Sequence, residues 1–132
     1  MITLLMGSAL AFDVIVTDIE GPGTIGCAAF RVENGFPGDP TQAIALDQVK
    51  ASAAVDGKVT CRFPKLTEGK IGVAVRHDRN ENGKLDSNLV GFPKEPFGFS
   101  RNAPLRTFGP PKFEDVLVDV TASPITIRLV KP

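Results

Sequence analysis

Lys58-Val59-Thr60-Cys61-Arg62-Phe63 is the stretch that decides the fold class. Val59, Cys61 and Phe63 fall on one side of an extended chain and Lys58, Thr60 and Arg62 on the other, the two-residue period of a half-buried strand. Asp56-Gly57 just upstream is hairpin-turn chemistry, because both residue types tolerate φ > 0. Downstream, past Pro64 to Gly69, the run Lys70 to His77 places Ile71, Val73 and Val75 on one face with Gly72 and Ala74 opposite, so something must pack closely on that second face. Working outward, Phe12 to Ile19 and Thr24 to Val32 flank Glu20-Gly21-Pro22-Gly23, predicting an opening hairpin. Phe113 to Val120 and Ile125 to Val130 flank Thr121-Ala122-Ser123-Pro124, predicting a second one. Gln42 to Val55 fits a short helix or a strand. Six or seven strands of this kind need a second sheet to bury their apolar faces, which predicts an all-β, antiparallel β-sandwich, immunoglobulin-like and carrying one long loop.

The chain has 132 residues, enough for one domain, with 15 basic and 15 acidic side chains. That balance leaves no excess of Lys and Arg for a phosphate backbone, so nucleic acid is not an expected partner. The uncharged apolar run Met1 to Ala11 ends in Ala9-Leu10-Ala11, a small-x-small cleavage pattern, and reads as a signal-peptide remnant (residues 1–11) before a single domain (residues 12–132). The other reading of that run is a first buried strand. It is too short to span a bilayer as a helix, so the chain is not expected to be membrane-spanning. Cys27 and Cys61 are the only cysteines. In a periplasmic or secreted domain an even count favours a disulfide, with two buried thiols as the alternative; two Cys and one His do not make a closed zinc shell.

No periodicity runs from Asp78 to Lys112, a connection far longer than usual. Its opening, Asp78-Arg79-Asn80-Glu81-Asn82-Gly83-Lys84-Leu85-Asp86, sets oxygen-bearing residues at positions 1, 3, 5 and 9 of a calcium-loop pattern with Gly83 at position 6. Calcium takes six to eight oxygens at about 2.4 Å, and alternate residues of a tight loop turn inward together. Asp78, Asn80, Asn82, the carbonyl of Lys84 and Asp86 are the expected ligands. Position 12 is Leu89, so this is no helical EF-hand; the missing carboxylate must arrive from elsewhere, and Glu95 is the nearest. A metal-free Asn/Gly turn is the competing reading.

Phe92, Phe97, Phe99 and Phe108, with Arg101, follow. They read either as a ligand-facing apolar surface or as a loop supplying its own small core. His77, the single histidine, reads as a packed strand-end residue, and no nucleophile motif accompanies it, so no catalytic residue and no enzyme activity are expected.

The blocks from His77 to Asp86, Gly91-Phe92-Pro93-Lys94-Glu95, Gly98-Phe99-Ser100-Arg101-Asn102 and Phe108 to Asp115 closely resemble domain-of-unknown-function family number 2141, small exported bacterial proteins. The resemblance implies a transthyretin-like β-sandwich of the periplasm or extracellular space and brings no reaction with it. The sequence thus predicts a noncatalytic exported β-sandwich with a structural calcium loop and a surface for an envelope protein or glycan. The alternative is a carrier of small apolar ligands.

Overall fold

The computed structural model describes residues 11–81, 95–107 and 109–131. The strands are β1 Ala11–Thr17, β2 Thr24–Phe30, β3 Ala45–Lys50, β4 Val59–Pro64, β5 Lys70–Asp78, β6 Phe97–Phe99, β7 Val118–Asp119 and β8 Ile125–Arg128. They form a three-stranded sheet in the order β4-β1-β8 and a five-stranded sheet in the order β3-β2-β5-β6, with β7 also paired to β5. Every pairing is antiparallel except that of β1 with β8. This is the all-β two-sheet sandwich that the alternation predicts.

The alternation is realised residue by residue. Phe12, Val14 and Val16 of β1, Val59, Cys61 and Phe63 of β4 and Ile71, Val73 and Val75 of β5 all lie in the core between the sheets. Burial of such side chains, at about 25 cal/mol per Å² of apolar surface, is what brings the sheets together. Cys27 on β2 and Cys61 on β4 cross this core as a disulfide, with Cα atoms 6.4 Å apart. The bond therefore ties one sheet to the other.

Neither expected hairpin forms. β1 and β2 lie in different sheets, so Glu20 to Gly23 is a crossover between layers. β7 joins β5 while β8 joins β1, so Thr121 to Pro124 is a crossover too. Local turn residues reverse the chain without dictating which edge it meets next. The turn at Asp56 and Gly57 does form, with φ of 55° and 74° and a bridge between Val55 and Lys58. It leads from β3 into the opposite sheet. The ambiguous Gln42 to Val55 segment is a strand, β3, followed by a short 3-10 turn at Ala51–Ala53.

The flanks of the sandwich are joined. On one, the carboxylate of Asp47 in β3 accepts from the Arg62 amide of β4. On the other, Phe97 of β6 and Val130, just past β8, exchange a pair of main-chain hydrogen bonds of 3.1 and 2.7 Å.

The outer face of the five-stranded sheet carries a second core of Phe30, Ala74, Phe97, Phe99 and Val116, with Phe36 and Phe113 packed against it. Phe36 touches three rings, those of Phe30, Phe99 and Phe113, with centroids 5.3 to 5.8 Å away. The close packing expected opposite Val73 is here: a Cβ on Gly72 would stand 2.7 Å from Val116 Cγ2 and 2.9 Å from Phe113 Cε1. Buried Ser100 fastens this layer, its Oγ accepting from the Val73 amide at 2.9 Å and donating to the Val116 carbonyl.

Candidate functional site

The strand pairing of β5 with β6 fixes the mouth of the long connection. Arg76 faces Phe97, and the His77 amide donates to the Pro96 carbonyl at 2.9 Å, so continuation of that register sets Glu95 across from Asp78. Both carboxylates are buried, at 6% exposure for Asp78 and 7% for Glu95. Glu95 Oε2 accepts from the Arg79 amide at 2.7 Å. Its Oε1 is buried with no hydrogen-bond partner among the described residues. A buried carboxylate oxygen is expensive unless a donor or a cation meets it, so this atom marks a place where one is needed.

The neighbouring crossover sits tightly against this mouth. Gly23 has φ +106°, and a Cβ there would lie 2.3 Å from the Asp78 carbonyl and 2.7 Å from Arg79 Cα, so only glycine fits. His77, fully buried, has Nε2 2.7 Å from the Pro22 carbonyl. Since a carbonyl only accepts, Nε2 carries the proton, and the ring ties the crossover to β5.

Among the expected calcium ligands, Asp78, Asn80 and Glu95 lie in the described residues, and the fold brings Glu95 back to the Asp78 end of the loop. Asn82, Lys84 and Asp86 lie outside the described residues, as do Phe92, Phe108 and residues 1–10 of the signal-peptide reading. Among the described residues no group of three or more His, Cys, Asp or Glu side chains is gathered for a metal. Of the two readings of the Phe-rich stretch, the described residues fit the loop that supplies its own small core. Phe97 and Phe99 are 7% and 4% exposed inside the second core, so they offer no open face. Arg101 is exposed, adopts φ 62°, and its Nη1 donates to the Glu114 carbonyl at 3.5 Å.

Sequence reasoning missed the other end of the same outer sheet face. There a polar cavity of about 220 Å³ opens beside the loop mouth, lined by Thr24 and Gly26 of β2, Gln48 and Lys50 of β3, Arg76 and Asp78 of β5, and Glu81 at the rim. The pairings Thr24 with Lys50 and Asp78, and Gly26 with Gln48 and Arg76, put these side chains on one face. Glu81 bends back over the sheet, its Oε1 accepting from Thr24 Oγ1 at 2.8 Å and from Lys50 Nζ. These bonds, the one from Lys50 foremost, hold the Glu81 carboxyl below its ordinary value of 4.5. The signal in the sequence was Gly26, a glycine inside a strand pattern, with polar residues at the matching parity of β3 and β5.

Two sheets bolted by an internal disulfide, with a second core on one outer face, define a protein of the all-β sandwich class. No helix of the described residues is long and apolar enough to cross a membrane. The chain belongs to family DUF2141, described as uncharacterised proteins conserved in bacteria, whose model matches residues 14–128. That span takes in both cysteines, the loop mouth and the cavity. No curated protein and no solved structure matches the chain.

Proposed function

We propose that this is a noncatalytic, extracytoplasmic β-sandwich whose connection between β5 and β6 is fastened by a structural calcium ion, giving a surface for an envelope protein or glycan. The observation that carries it is Glu95, returned by β-pairing to the start of a calcium-patterned loop with one buried carboxylate oxygen unpartnered among the described residues. Asp78, Asn80 and Glu95 supply oxygens from the described residues, and the spacing adds Asn82, the Lys84 carbonyl and Asp86. The dication would neutralise the buried acidic charge and, by binding only the folded loop, stabilise the fold. The inter-sheet disulfide supports an oxidising compartment. The buried setting of His77, with Nε2 engaged by Pro22, supports a packing role over a catalytic one.

The test is thermal unfolding in chelator and in calcium at about a hundred times Kd. Linkage then gives about 2.7 kcal/mol, or a rise in Tm of roughly 10 °C for a domain of this size. Glu95→Gln should remove most of that rise. Coincident melting curves in chelator and calcium would sink the proposal.

A further inference from the structure

We infer that the polar cavity on the outer face of the five-stranded sheet binds one pyranose unit of a neutral glycan, with Gly26 as its floor. The inference deepens the proposed function, because Asp78 belongs both to the cavity wall and to the calcium-patterned loop, and it rests on that reading for the glycan partner.

Gly26 is the first argument. A glycine inside a strand weakens it by roughly 0.5–1 kcal/mol relative to alanine, so it needs a reason. Gly72 and Gly98, inside β5 and β6, each have one, since a Cβ at either would lie within 2.7 Å of a neighbouring atom. At Gly26 the nearest atoms are Arg76 Nε at 3.7 Å and Cγ at 3.8 Å, ordinary van der Waals contact, and its φ is not in the left-handed range. Neither packing nor backbone conformation requires glycine here. What glycine does provide is a stretch of main chain with no side chain of its own, bordered by the Arg76 side chain, for a ring to approach.

The second argument is the chemistry of the walls. Lys50 and Arg76 donate, Asp78 and Glu81 accept, and Thr24 and Gln48 do both. The two positive and two negative side chains balance. Phosphate would be repelled by Asp78 and Glu81, and an apolar ligand would desolvate these charged walls without offering them a hydrogen bond. A ring of neutral hydroxyls, each donor and acceptor at once, satisfies this mixture, and the cavity of about 220 Å³ suits one such ring. The contacts from Thr24 and Lys50 hold Glu81 in place before any ligand arrives, which lowers the ordering cost of binding.

The experiment uses amide-resolved NMR titration of the whole chain with methyl glucoside, methyl galactoside and methyl N-acetylglucosaminide. Glucuronate and inorganic phosphate serve as charged probes, and the series is run in calcium and again in chelator. The expected result is saturable shifts centred on Gly26, Gln48 and Arg76 with at least one neutral glycoside, at a Kd on the order of millimolar. Gly26→Ala should keep the wild-type melting temperature or raise it, while weakening that binding by about tenfold or more, the scale of one misplaced methyl in a pocket. Absence of saturable shifts with every neutral glycoside overturns the inference. So does binding by Gly26→Ala equal to wild type, or preferential binding of phosphate or glucuronate. The calcium reading is scored separately by the shift in Tm. Glycoside binding that persists without any calcium effect removes that reading alone, and a calcium effect without glycoside binding removes only this one.

Discussion

Asp47 of β3 accepts a 2.7 Å hydrogen bond from the main-chain N–H of Arg62 in β4, joining strands that belong to different sheets. Its second oxygen accepts from the Gln48 amide at 2.9 Å. A carboxylate thereby occupies an edge amide that would otherwise face water or another chain. Asp47→Ala is expected to cost about 1–2 kcal/mol, read from urea midpoints, and to raise the tendency to aggregate. An unchanged midpoint would show that water serves the Arg62 amide equally well.

The disulfide closes a loop with a sequence separation of 34 residues. The loop-entropy relation for that length gives about 4 kcal/mol, so the Cys27→Ser, Cys61→Ser double variant should unfold at correspondingly lower denaturant. Cys27 and Cys61 are 2% and 0% exposed, which withholds the bond from thiols while the fold is intact. Dithiothreitol should therefore reduce it slowly in buffer and quickly in denaturant. Equal rates in the two, followed by thiol labelling, would contradict this burial.

Gly72 and Gly26 predict opposite responses to the same substitution. At Gly72 a methyl would collide with Val116 and Phe113, so Gly72→Ala is expected to destabilise by about 1–3 kcal/mol as the second core shifts. At Gly26 the methyl fits, and Gly26→Ala is expected to stabilise by up to about 1 kcal/mol. Urea titrations of the two variants beside wild type check the pair. A destabilised Gly26→Ala would mean the strand itself needs glycine there.

Two short 3-10 turns begin with the same device. Asp119 accepts from the Thr121 amide at 3.0 Å and its hydroxyl at 2.9 Å, and Asp39 does the same with Thr41. For Asp119 the amide bond is the larger cause, the hydroxyl the second, and together they hold its carboxyl below the ordinary 3.8. Because the folded value is the lower one, the stabilisation is complete above 3.8 and is lost as pH falls through the depressed folded value. Asp119→Ala should thus lag wild type in urea midpoint at neutral pH, with the gap shrinking at about pH 3. A carbon-detected titration of Asp119 with its midpoint at or above 3.8 would contradict the cap.

What the sequence made legible was whatever depends on side-chain parity. Val59, Cys61 and Phe63 alternate in the sequence and in burial alike, and Gly72 opposite Val73 announced a close neighbour that proved to be Val116 and Phe113. Pairing partners were not legible. Glu20 to Gly23 and Thr121 to Pro124 carry good turn chemistry, but whether a strand returns to its neighbour or crosses to the other layer depends on distant edges, here those of β4, β8 and β5. β6 escaped notice because Phe97, Gly98 and Phe99 are buried on both faces, which erases the polar half of the alternation. Of the site, the spacing from Asp78 and the candidacy of Glu95 were readable, and the register of β5 with β6 supplies the reason Glu95 returns to that end. The cavity was hidden because its walls come from three strands that only the pairing brings side by side.

Among the described residues, the first and last strands run parallel as neighbours, Val14 beside Ile125 through Thr17 beside Arg128. Tension applied to the two ends of the domain would drag β1 and β8 past each other along their length, loading every rung of that ladder together instead of peeling rungs one at a time. If the clamp slipped, the covalent link from Cys27 to Cys61 would still withhold the 34-residue span between them, roughly 12 nm of contour length, from stretching. End-to-end pulling would therefore meet the ladder in shear first, and the length released on rupture would be shorter by that disulfide-closed span.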